Sequence, residues 1–116
     1  MAMSRSPQDP VQRQLDAYNA HDLAGFLAEY ADDVQVFRPP AADPILAGKQ
    51  AVGEHYARNR FNLPDLHARL VNRMVAGNTV VDHEEITGLP GETLRTAIAV
   101  YQVDDSSGRI NKVWFF

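Results

Sequence analysis

Residues 67–116 read HARLVNRMVAGNTVVDHEEITGLPGETLRTAIAVYQVDDSSGRINKVWFF. Runs rich in β-branched and aromatic residues fill 67–75, 79–89, 94–103 and 109–116. Between them stand Gly77-Asn78, Pro90-Gly91 and Ser106-Ser107-Gly108, residues that reverse a chain cheaply. Alternating strands joined by such turns predict antiparallel hairpins. Working outward, the preceding half reads helical. Asp9 is a capping side chain followed by Pro10 at a first helical position. Val11, Leu15 and Tyr18 then share one helical face. Asp22 is placed to cap a second helix, with Leu23, Phe26, Leu27 and Tyr30 as its apolar stripe. Gly25 inside that helix points to close packing. Asp32-Asp33 is read as its end, and 34–37 as a short strand.

Residues 38–47 contain Pro39, Pro40 and Pro44, which exclude a helix interior or a central strand. Gly48 opens a third helix through about residue 61, with Val52, His55, Tyr56 and Asn59 on one stripe. Helices first, then a meander, predict an α+β fold: helices on one face of a curved, mainly antiparallel sheet.

The chain of 116 residues suits one domain, expected over 9–116, with a flexible segment at 1–8. It can bury a core without covalent staples. Cysteine is absent, which excludes disulfides and thiolate-zinc centres. The net charge of −4 and the lack of a basic patch argue against nucleic acid as a partner. No apolar run has the length of a signal core or a membrane span, so no membrane partner and a cytoplasmic location are expected.

Three segments carry a family resemblance: LDAYNAHDLAGFLAEYADDVQVF, LAGKQAVGEHYAR and GRINKVWFF. With them the chain resembles the nuclear-transport-factor-2-like superfamily, in its SnoaL-like and ketosteroid-isomerase-like branch, over about 10–116. The resemblance implies a cone-shaped, cystatin-like α+β barrel of three N-terminal helices on a curved sheet. It implies a pocket between the sheet and the helices for a small apolar molecule, no cofactor, and a homodimer through the outer sheet face. In the isomerases a tyrosine on the first helix donates to the developing oxyanion, and Tyr18 matches it. Tyr30 and Tyr56 match two orienting tyrosines. The isomerase base is an aspartate before a proline, where Arg38 precedes Pro39 here. The second donor, a protonated aspartate, is matched by Ala99. Arginine is no base near neutral pH, and alanine has no proton to give, so true ketosteroid isomerase chemistry is not expected.

Other chemistry then has to be sought on Thr79-Val80-Val81-Asp82-His83-Glu84-Glu85-Ile86-Thr87. Alternation puts His83 and Glu85 on one face, Asp82 and Glu84 on the other. Both rows mix polar and apolar residues, so periodicity does not select the pocket side. The resemblance places His83 and Glu85 inward, as candidate catalytic groups beside Tyr18. Either Glu85 orients His83 as a general acid or base, or a desolvated Glu85 is itself the base. Three readings stand together: catalysis, ligand binding alone, and a polar pair satisfied within the sheet. The expected ligand-binding set is Tyr30, Arg38, His55, Tyr56, Ala99, Tyr101, Val113 and Phe115. The tyrosines also fit a simpler role as fillers between helices and sheet. Isomerase, cyclase or hydratase-like acid–base chemistry on a small apolar carbonyl compound is the leading function, and a non-catalytic binding or dimerisation module the alternative. The histidines lack chelating spacing, so no metal is expected. With Phe115 inward, Trp114 and Phe116 would face outward as the dimer surface.

Overall fold

The computed structural model describes residues 6–116. Among them run α1 (Gln8–Asn19), α2 (Leu23–Leu27), β1 (Tyr30–Phe37), β2 (Leu46–Ala47), α3 (Lys49–Asn59), β3 (His67–Ala76), β4 (Thr79–Thr87), β5 (Arg95–Val103) and β6 (Ile110–Phe115). The strands form one sheet in the order β2-β1-β6-β5-β4-β3. Four of its five pairings are antiparallel, and β1 runs parallel to β6. The α+β reading therefore holds, with a correction. The sheet curves around the helices but does not close into a barrel, since β2 and β3 remain as free edges.

Local details also differ from the expectations. The first helix starts two residues earlier, with Pro7 as its N-cap and Asp9 in the first turn rather than capping. Of the segment expected to be flexible, residues 1–5 lie outside the described residues, and Gln8 already belongs to α1. Asp22 does cap α2, accepting a hydrogen bond from the Gly25 amide. That explains Gly25: a Cβ there would collide with the capping carboxylate. The helix ends at Leu27, however, and Tyr30 opens β1. Asp32 and Asp33 are thus exposed strand residues, not a helix end. An apolar residue every three or four positions fits a short helix, but a five-residue helix gains too few hydrogen bonds to continue against strand pairing.

The core lies between the sheet's concave face and the helices. Phe26 is its hub, packed on the rings of Tyr18, Tyr30, Tyr56 and Phe61 at 4.8–6.1 Å between centroids. From the sheet it receives Val34, Val36, Val80, Ala99, Ile110 and Val113. Gly88 closes the far side. Its φ of +86° and the Asp65 carbonyl against its α-carbon leave no place for a side chain.

Candidate functional site

The register of the sheet decides which side chains meet the helices. Residues paired across an antiparallel ladder share a face. Val80 pairs with Tyr101, Asp82 with Ala99, and Glu84 with Ala97. Tyr101 and Ala99 are core residues, so Asp82 and Glu84 point inward. His83 and Glu85 belong to the outer row, and the inward placement expected for them is corrected here. Glu85 is held by Arg69, its partner across β3 and β4. His83 pairs with Asn72 on the same outer face. Periodicity relates neighbours within a strand, but only the pairing partners choose the buried row.

The inner row and the helices enclose a cavity of about 480 Å³. Tyr18, Tyr30, Tyr56, Tyr101, Phe115, Arg38 and His55 all line it, as expected. Ala99 and Val113 share its face of the sheet but are completely covered, and form packed floor rather than wall. Phe116, 62% exposed, also reaches the cavity rim. The consecutive residues Arg95, Thr96 and Ala97 line the cavity too, so at this end of the sheet both rows reach the mouth. Trp114 stacks on Phe37 outside, 5.6 Å between centroids.

At the closed end, polar groups satisfy one another. Asp82, 0% exposed, accepts from Arg73 Nε at 2.7 Å and Nη2 at 2.9 Å, and Arg73 Nη1 donates to Gln12 at 2.8 Å. Tyr30 donates to Gln14 Oε1 at 3.0 Å, and Gln14 Nε2 donates to the Val11 carbonyl and the Tyr101 hydroxyl. Tyr30 is therefore committed to Gln14 and does not orient Tyr18.

Glu84 is different. It is only 6% exposed, yet among the described residues nothing hydrogen-bonds its carboxyl. Burial, and secondarily the charge of Asp82, push its pKa from 4.5 up to about 7. At neutral pH it both holds and releases a proton. The four tyrosines around it feel its charge. Burial raises Tyr18 to about 12, against the opposing pull of Arg60, so its hydroxyl stays a donor. Burial also raises Tyr30, Tyr56 and Tyr101. Burial, then Arg60 and Arg38, lower the pKa of His55 at the mouth.

Glu84, Gln14, Arg60 and Arg95 were missed from the sequence. Gln14 was legible: it interrupts the stripe of Val11, Leu15 and Tyr18. Glu84 left a fainter signal, since Val80 and Ile86 make its row the more aliphatic one. Among the described residues no three acidic or histidine side chains gather as a metal site, and no helix is long and apolar enough to cross a membrane.

Solved structures with this fold include an uncharacterised cystatin-fold protein from Novosphingobium aromaticivorans. It is 21% identical, with a TM-score of 0.83 over 97% of this chain and 98% of that one. A SnoaL-like protein of unknown function from Burkholderia thailandensis is 26% identical, with a TM-score of 0.77 over 95% and 92%. A protein from Kribbella flavida, provisionally assigned as a ketosteroid isomerase, is 17% identical, with a TM-score of 0.78 over 95% and 76%. No curated protein sequence matches. The family model for the SnoaL-like domain matches residues 11–113. With that match spanning nearly the whole chain, on a helix-backed curved sheet, the protein belongs to the SnoaL-like family.

Proposed function

We propose that the cavity binds a small apolar carbonyl compound and that Glu84 moves a proton on it, without a cofactor. The observation that carries this reading is Glu84 itself: a carboxyl on a largely buried residue whose oxygens open onto the cavity without a hydrogen-bond partner among the described residues, with its pKa near 7. A carboxyl placed only for stability finds partners, as Asp82 does. A carboxyl poised near ambient pH suits general acid–base work. Its carboxylate takes a proton from the carbon beside the carbonyl. The developing negative charge on oxygen meets the Tyr18 hydroxyl. The proton then returns from Glu84 to another carbon, which is isomerisation; or the enolate carbon attacks a second carbonyl, whose π bond opens to an alkoxide that takes the proton from Glu84, which is cyclisation; or a β-hydroxyl leaves as water on receiving that proton, which is the dehydration direction of a hydratase. The aromatic walls hold the substrate body and exclude water.

The test is proton exchange. Small cyclic ketones and β-dicarbonyl compounds are incubated with the protein in D2O and followed by NMR for loss of the α-proton signal. The protein accelerates exchange for at least one of them, with a rate that rises as pH passes about 7. Glu84→Gln loses roughly 10²–10⁴-fold, the usual contribution of a general base. Equal exchange by wild type and Glu84→Gln would sink the assignment.

A further inference from the structure

The chain is acidic overall, with 15 Asp and Glu against 11 Lys and Arg. The cavity inverts that balance. Arg38, Arg60 and Arg95 line it, against Glu84 as the one acidic lining residue. Arg38 and Arg60 make no ion pair among the described residues, whereas Arg95 is held by Glu92. Arg38 lies with its guanidinium carbon 6.0 Å from the centre of the Phe115 ring, at the outer reach of a cation–π contact. His55, which lines the same cavity, feels the charge of both Arg60 and Arg38.

We infer that the mouth of the cavity is an anion subsite, and that the substrate is a carbonyl compound carrying a carboxylate held by Arg38 and Arg60. This rests on the proposed pocket function and names its substrate class. Arg60 donates to the Asn59 carbonyl at 2.8 Å, but neither it nor Arg38 has an acidic partner among the described residues, and a carboxylate supplies one. The guanidinium fork also matches a planar carboxylate in geometry. Arrangement follows: the acid group at the mouth, the apolar body against the aromatic walls, and the carbonyl near Tyr18 and Glu84.

The probes are 6-acetyl-2-naphthoate and its methyl ester, which share a ketone and ring system and differ in charge. Binding is measured by calorimetry, with NMR shifts locating each probe in the cavity. The naphthoate binds wild type at least about tenfold tighter than the ester at low salt, the scale of a charge-assisted hydrogen bond in a partly buried site. In the double variant Arg38→Gln, Arg60→Gln that preference shrinks to within about twofold. The wild-type ratio stands as a measurement even if the double variant does not fold. If the ester binds in the cavity as tightly as the acid, the pocket remains and the anion subsite falls. If neither probe binds, the pocket reading falls and takes the subsite with it.

Discussion

Asp82 and Glu84 are alternate residues on the same buried face of β4, yet they live in opposite environments. Asp82 sits at the closed end, gripped by Arg73, which is anchored in turn by Gln12. Glu84 sits at the cavity without a hydrogen-bond partner among the described residues. The difference teaches that burial alone says little about a carboxylate. Its partners decide whether it holds the fold together or is held ready at a cost.

That contrast breaks most visibly at Asp82. Removing it by Asp82→Ala leaves the Arg73 guanidinium, its side chain 11% exposed, without a counter-charge. A loss of about 3–5 kcal/mol is expected in denaturant unfolding. A loss below about 1 kcal/mol would show that the pair is not structural.

Glu84→Gln should act in the opposite direction. The folded pKa lies near 7 and the ordinary value is 4.5, so the folded protein binds the proton more tightly. Below about 4.5 both states are protonated and nothing is lost. As pH rises from there to about 7, the unfolded chain releases its proton first and the fold loses up to about 3 kcal/mol. Replacing Glu84 with glutamine removes that loss. The variant should be more stable than wild type at pH 8, and the gain should vanish near pH 4. Unfolding midpoints across that range check both the sign and the window, and a gain independent of pH would contradict it.

Tyr30→Phe tests the other half of the closed end. It removes the donor to Gln14 Oε1 and leaves a buried amide oxygen unpaired. About 1–2 kcal/mol of stability should go, with probe binding in the cavity little changed.

The smallest effect is expected on the outer row. Glu85 pairs with Arg69 at a largely exposed position, their side chains 29% and 63% accessible. Glu85→Gln should cost less than about 1 kcal/mol and leave proton exchange untouched. Loss of exchange in this variant would return the outer row to the chemistry.

Much of the scaffold was legible in the residues. Strand-turn-strand punctuation located the four long strands to within a few residues. Asp22 capped the helix assigned to it, and the tyrosines did line a pocket. Tyr30 was legible as a pocket residue but not as a strand residue. A helical stripe and a strand pairing compete there, and the parallel partner β6 comes from the far end of the chain.

Local sequence thus determined the order of elements, the turns, the thiol-free chemistry and the acidic balance, because each depends on neighbouring residues alone. Tertiary structure decided the site. Alternation along β4 fixed that Asp82 and Glu84 lie together and apart from His83 and Glu85, but either row could have been the buried one. The choice was made by pairing with Ala97, Ala99 and Tyr101 on β5, and by Arg73 arriving across the turn from β3. The same long-range assembly brought Arg38 and Arg60 to one opening. A side chain's reactivity follows from its solvent and its partners, and those are properties of the folded whole.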